Sequence, residues 1–278
     1  MVGGRRDPFR DRLASCESRL CVGIDPDPAT VPSHLGGGIS GVRRFCLELI
    51  EATAEHVAAF KPNSAFFEQL GPDGWHLLRE VVEAAGKRAL VVVDAKRGDI
   101  GNTAAAYARS IFDGLGADAC TVHPYLGRDA LRPFLERPDR LAFVVCRTSN
   151  PGAVDFQDLP VGPDGEPLYV RVARAVALWD QDPPGHTAGL VVGATWPREL
   201  GRVRAVAPGL PVLIPGVGAQ GGDLEACVAG LSRTCGGFLI AVSRAVAGAS
   251  AGADFPQAAS RAAAALRARI QAAEARSE

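Results

Sequence analysis

Four charged side chains fall within the six residues Asp94-Ala-Lys-Arg-Gly-Asp99, directly after the three valines Val91-Val-Val93. Side chains alternate along a strand, so Asp94 and Lys96 leave the same face, and Gly98 lets the chain turn and bring Asp99 back beside them. An acid, a base and a second acid held that closely can stabilise a developing charge and move a proton. The alternative is a surface ion-pair cluster at a strand end, which contributes little to stability. An apolar run this pure normally lies under helices on both faces, and charges at its carboxyl end then line a cleft.

Other strand-like runs end in the same manner. Leu20-Cys-Val-Gly-Ile-Asp25 stops at Pro26, Val57-Ala-Ala-Phe-Lys61 at Pro62, and Ala119-Cys-Thr-Val-His123 at Pro124. Asp25 and Lys61 then face the same mouth as Asp94, Lys96 and Asp99, although a single charge after a strand is commonly just solvated. His123 is left unassigned, because a lone strand-end histidine more often satisfies a backbone group than acts as an acid or base. The loop from Pro215 to Gln220, with Gly216, Gly218, Gly221 and Gly222 around it, and the pair Ser243-Arg244 follow the seventh and eighth runs. Barrels commonly hold a phosphate there: backbone N–H groups approach its oxygens, Arg244 offers a bidentate fork and Gln220 an amide. Alone, such a glycine loop could equally be a turn. The chain contains no H-x-H or H-E-x-x-H spacing, so a histidine metal site is not indicated.

These residues need elements to carry them. Strands are expected at 20–25 and 57–61, within the central stretch 90–103 from Leu90 onward, and at 119–123, 141–146, 189–193, 211–215 and 236–242, and apolar spacing predicts helices over 42–58, 74–86, 102–115, 128–136, 169–179, 197–206 and 255–276. Eight short strands alternating with helices imply an α/β protein with the (β/α)8 TIM-barrel fold, one domain spanning 1–278. A doubly wound open sheet is the alternative. The barrel is preferred because functional residues follow at least six strands, and only a closed ring converges them on one mouth. Residues 151–167 hold four prolines and Gly152, Gly162 and Gly165 without periodicity, which predicts a mobile loop acting as a lid.

Composition narrows the partners. At 278 residues, 47% hydrophobic and 22% charged, the chain reads as an ordinary globular protein. A net charge of −1 argues against a sequence-independent hold on nucleic acid. The first residues, Met-Val-Gly-Gly-Arg-Arg, lack an apolar signal core, and no run of about 18 apolar residues occurs, so neither secretion nor membrane insertion is expected and the cytoplasm is. Seven cysteines (16, 21, 46, 120, 146, 227, 235) without a C-x-x-C read as reduced, buried apolar residues.

Taken together, Asp94-Ala-Lys96-Arg-Gly-Asp99-Ile100-Gly-Asn-Thr103, Phe60-Lys61-Pro-Asn, Ile24-Asp25-Pro, Thr148-Ser149-Asn-Pro-Gly, Pro215-Gly-Val-Gly-Ala-Gln220-Gly-Gly and Val242-Ser-Arg244 give a close match over nearly the whole length. The chain resembles the orotidine 5'-phosphate decarboxylase family, in particular its longer bacterial branch (type 2). The resemblance implies a decarboxylase forming UMP without metal or cofactor. It implies that Lys61, Asp94, Lys96 and Asp99 form an alternating charged array with Lys96 as proton donor, and that Asp25 and Thr103 hold ribose. Ser149 would contact the pyrimidine, Pro215 would line the site, and Gln220 and Arg244 would hold phosphate. It further implies a homodimer in which Asp99, Ile100 and Thr103 reach into the partner's site. Two rivals stand beside this reading. A metal-dependent sugar-phosphate decarboxylase or aldolase also carries Asp-x-Lys-x-x-Asp, but needs an acid where Lys61 stands. A non-catalytic nucleotide-binding barrel needs Gln220 and Arg244 but not four alternating charges.

Overall fold

Runs rich in Val, Ile, Leu and Ala pack well on a pleated surface covered on both faces, and eight of them form parallel strands. The structure is a computed structural model, and it describes residues 15–182, 185, 187–218, 221–231 and 236–277. The strands are β1 (Leu20–Ile24), β2 (Ala59–Pro62), β3 (Leu90–Arg97), β4 (Ala119–Val122), β5 (Leu141–Arg147), β6 (Ala188–Val192), β7 (Val212–Pro215) and β8 (Phe238–Val242). Each pairs with its sequence neighbour, and β1 also pairs with β8, so the sheet closes into the expected barrel. The crossovers carry helices α1 (Gly38–Thr53), α2 (Pro72–Gly86), α3 (Gly101–Arg109), α4 (Arg128–Leu135), α5 (Leu168–Trp179), α6 (Pro197–Val206) and α7 (Leu224–Ala229), and α8 (Phe255–Arg276) follows β8.

Strand alternation divides the core into two shells. Cys21, Ala59, Val92, Ala119, Phe143, Val191, Leu213 and Leu239 fill the barrel interior. Their neighbours, among them Leu20, Val22, Phe60, Val91, Val93 and Val144, face outward and pack under the helices. Phe45 of α1 and Phe255 of α8 stack with ring centroids 5.1 Å apart, joining the first helix to the last across the barrel seam. The functional side chains follow from this parity. One or two inward positions beyond the apolar layer stand Asp25, Lys61, Asp94 and Thr121, all at the carboxyl end of the barrel.

Several local expectations are corrected. The helix expected over 42–58 ends at Thr53 and passes through a 3-10 turn at Ala54–His56. Ala58 is taken by the sheet, donating its N–H to Leu20 O and accepting from Leu90 N–H, so the helix cannot keep it. Between β7 and β8 a helix not anticipated from the sequence, α7, is capped by the Asp223 carboxylate accepting from Ala226 N–H at 3.0 Å. The tract 151–167 is not structureless. Pro151–Asp155 forms a 3-10 helix, and Pro160–Val161 pairs antiparallel with Glu166–Pro167. Gln157 O and Leu159 O accept from the first N–H groups of α5, at Tyr169 and Leu168, which ties the tract to a helix start with donors to spare.

Among the described residues no helix is long and apolar enough to cross a membrane. Six of the cysteines are free thiols, five of them buried, and Cys235 lies outside the described residues. Cys21, beneath the charged layer, has its thiol pushed up to about 12, chiefly by burial.

Phe143 is the largest side chain of the inner cluster and is fully buried. Its ring uses space left by Gly189 on β6, where a Cβ would stand 2.8 Å from the ring. Phe143→Ala is expected to cost about 3 to 5 kcal/mol by emptying the barrel centre. Urea unfolding measures this, and a loss below 1 kcal/mol would contradict the packing described.

Candidate active site

At the carboxyl ends of the strands lies a cleft of about 460 Å³. Its floor is charged. Asp94, at the end of the apolar part of β3, accepts from Lys61 Nζ at its Oδ2 (2.8 Å) and from Lys96 Nζ at its Oδ1 (2.6 Å). Lys61 and Asp94 are almost fully buried, whereas the Lys96 side chain is 48% exposed and reaches into the cleft. Burial disfavours charge on both buried partners, but the pairing wins. Against that burial, Lys61 and Lys96 hold the Asp94 carboxyl below its ordinary range. Desolvation opposes the Lys61 ammonium too, yet Asp94 and then Asp25 outweigh it, and its pKa lies above the usual lysine value.

A backbone irregularity sets this geometry. Between the pairs Val93↔Cys120 and Arg97↔Val122, β3 advances four residues while β4 advances two. The bulge places Asp94 and Lys96 together over one residue of β4, Thr121. Lys96 is the single non-glycine with positive φ among the described residues, at 44°. Such a conformation costs of order 1 to 3 kcal/mol and persists only where its surroundings hold it.

Four other strands, β1, β5, β7 and β8, supply residues of the walls. Asp25 follows β1, and among the described residues its buried Oδ1 has no hydrogen-bond partner, which leaves an acceptor open at the cleft. Pro215, Gly216 and Val217 follow β7, and Ser243 and Arg244 follow β8. Gly216, Gly218 and Gly221 adopt positive φ, and the loop closes on itself through Gly222 N–H donating to Gly216 O. Arg244 is exposed and forms no ion pair among the described residues, which leaves its guanidinium available at the rim.

Opposite stand Thr148, Ser149 and Asn150, held from behind. Arg147 is fully buried, its guanidinium 4.1 Å from the Trp196 ring centroid and 3.0 Å from the Asp158 carboxylate. Gln157 accepts from Thr148 N–H and donates to the Thr148 hydroxyl, both at 2.8 Å, while Trp196 Nε1 donates to Thr148 O at 2.9 Å. Both main-chain groups of Thr148 are thereby fixed. Gly193 backs Ser149 so tightly that a Cβ there would lie 2.7 Å from Ser149 N.

Of the residues singled out in the sequence, Asp25, Lys61, Asp94, Lys96, Ser149, Pro215 and Arg244 meet in the cleft. Asp99 does not come back beside Asp94. After Gly98 the chain continues outward, Asp99 turns its Oδ1 to the N–H of Ile100, and Ile100 is 60% exposed. Thr103, on α3, lines a separate groove with Trp75 and Tyr107. Gln220 lies outside the described residues. His123 uses Nδ1 as an acceptor for Tyr125 N–H and is not among the cleft residues. Asn63, Asn150 and Ser243, named in the sequence only as members of motifs and given no role, also line the cleft, as does Thr121, which was not singled out. For Thr121 a signal existed: a hydroxyl at an inward position of an otherwise apolar strand. Among the described residues no group of three or more His, Cys, Asp or Glu could hold a metal ion.

Fold and site define an α/β barrel with a small-molecule cleft, cationic at its rim and charged at its floor. Comparison with known proteins makes this specific. Residues 18–262 match the model of the orotidine 5'-phosphate decarboxylase / HUMPS family, and the chain belongs to that family. It is 47% identical over 252 residues to an orotidine 5'-phosphate decarboxylase of Herpetosiphon aurantiacus, covering 90% of this chain and 92% of the relative. Over 268 residues it is 48% identical to that of Thermomicrobium roseum, covering 95% of each. The solved structure of Leishmania donovani OMP decarboxylase superposes with a TM-score of 0.83 at 42% identity, covering 96% of this chain and 98% of that one.

The charge balance at the floor gives a pH signature. Asp94→Asn would leave Lys61 buried without its partner, an expected loss of about 3 to 5 kcal/mol at pH 7. Asp94 has a lowered folded pKa, so its contribution is present above its ordinary value of 3.8 and is lost as pH falls from there toward the folded value. The stability gap between wild type and Asp94→Asn should therefore narrow below pH 3.8. A gap that stays constant from pH 7 to pH 3 in denaturant titrations would show that Asp94 is not held as described.

Proposed function

We propose that the protein decarboxylates orotidine 5'-monophosphate to UMP and CO2, a step of pyrimidine nucleotide synthesis with the cytoplasm as its expected place. The observation that carries the proposal is the Asp94 carboxylate pinned between two ammonium groups, one buried and one open to the cleft. When the bond from C6 to the carboxylate breaks, CO2 leaves and the electron pair stays on C6, where the ring offers no sink. The Lys96 ammonium beside that carbon stabilises the developing charge and then gives it a proton, yielding UMP; solvent returns the proton to the amine. Lys61 holds Asp94 ionised and in place. Asp94 stands where the substrate carboxylate must lie, although stabilisation of the transition state by the ammonium is the larger effect.

The other contacts orient the nucleotide. The unpartnered Asp25 oxygen suits a ribose hydroxyl, Ser149 the pyrimidine, and Arg244 with the loop after Pro215 and Gln220 the phosphate. Binding energy from that non-reacting phosphate helps assemble the site. The lid role expected of 151–167 takes a narrower form, a wall on the pyrimidine side that Gln157 ties to Thr148. A metal-dependent reaction of the same barrel class needs an acid in place of Lys61, and so turnover of the nucleotide in excess EDTA is the first test. EDTA-sensitive activity on a ketose phosphate would favour that second reading.

Lys96→Ala should reduce kcat by at least a thousandfold, about 4 kcal/mol of transition-state stabilisation, while UMP still binds through phosphate and ribose. Decarboxylation within tenfold of wild type would remove Lys96 from this role.

By the family resemblance, Asp99, Ile100 and Thr103, which do not line the cleft of their own chain, would enter the cleft of a second copy in a homodimer. Mixing Lys61→Ala with Asp99→Ala would then produce heterodimers with one doubly mutated site and one intact site. Partial activity should return on subunit exchange. Exchange demonstrated by native mass spectrometry without recovery would rule out the shared site.

A further inference from the structure

β4 contributes Thr121, 1% exposed, directly beneath the bulge of β3. Its hydroxyl donates to Asp94 Oδ1 at 2.8 Å and accepts from Lys96 N–H at 2.9 Å. The direction is fixed by chemistry: an ionised carboxylate only accepts, and a backbone amide only donates. In a regular parallel ladder the Lys96 amide would bond to a β4 carbonyl. Here a side-chain oxygen takes it, at the one non-glycine with left-handed backbone among the described residues. The same oxygen therefore holds the main chain of one charged residue and the side chain of the other. With its proton on Asp94 and a lone pair on Lys96 N–H, Thr121 has little left to offer a substrate, although it borders the cleft.

We infer that Thr121 is a positioning residue for the reaction, holding the strained turn at Lys96 so that its ammonium projects over Asp94 and into the cleft. This rests on the reading of Lys96 as the group that serves C6. A methyl in place of the hydroxyl would leave the Lys96 amide without its partner and let the backbone relax toward a regular strand. Lys96 Nζ would then move while Asp25, Ser149 and Arg244, on other strands, kept their places. The signature is accordingly a split: loss in kcat with binding of UMP preserved. A residue needed only for packing would not give that split, and the Thr121→Val change, close in volume, isolates the hydroxyl.

The experiment compares the wild type, Thr121→Val and Thr121→Ser in the intact protein, measuring kcat on orotidine 5'-monophosphate and Kd for UMP. The expected result is a kcat at least tenfold lower in Thr121→Val, a UMP Kd within threefold of wild type, and a kcat for Thr121→Ser at least tenfold above Thr121→Val. A smaller fall in kcat, an equal fall in UMP affinity, or serine behaving like valine overturns the assignment. Should Thr121→Val not fold, Thr121→Cys takes its place with the same thresholds, since a thiol is a poor donor and acceptor. A wild type that does not decarboxylate the nucleotide at all would instead sink the proposed function. That outcome is distinct from an active wild type indifferent to residue 121.

Discussion

An ammonium and a carboxylate buried side by side at the end of an apolar strand govern this molecule. Removing two charges from water costs several kcal/mol each, and the pair is tolerable only with close geometry and further donors on the carboxylate. Lys61 and Asp94 meet that condition because adjacent strands deliver them to one level and Lys96 and Thr121 complete the carboxylate's partners. The barrel is the means of delivery. Its strands end around one ring, so side chains remote in sequence converge there without any loop having to reach.

Most of this organisation was legible in the sequence because it depends on period-two alternation. Apolar runs ending in Asp25, Lys61 and Asp94 give both the strands and the direction of their last side chains, and the closed ring follows from the number of such endings. What escaped depends on departures from periodicity. The bulge in β3 inserts two extra residues against β4, and no sequence rule places them. Asp99 was expected to fold back on the strength of Gly98, but a glycine permits a turn without imposing one, and the chain runs outward into α3. Thr121 is a hydroxyl in an otherwise apolar strand, a signal that does not by itself say which groups it joins.

The tract after β5 carries more local structure than its sequence suggests, for a different reason. Four prolines and several glycines signal broken periodicity, yet order can come from side chains instead of from a backbone ladder. Gln157 and Asp158 supply that order by bonding to Arg147 and Thr148. Family membership explains why the match to relatives extends over most of the chain: the residues of the cleft are scattered from β1 to β8, and a site so distributed constrains the whole barrel.

The burial of Arg147 has a consequence for how the chain tolerates change. One guanidinium, sandwiched between Trp196 and Asp158, sets the path of the residues that present Ser149. Residues 147 to 158 are thus a single block whose members can be exchanged only together. The hairpin tip at 162–165, by contrast, is exposed and is reached from the block through two short strands. Inserted sequence, a fluorophore or an affinity handle belongs at that tip, where added length is absorbed by solvent and the cleft does not feel it.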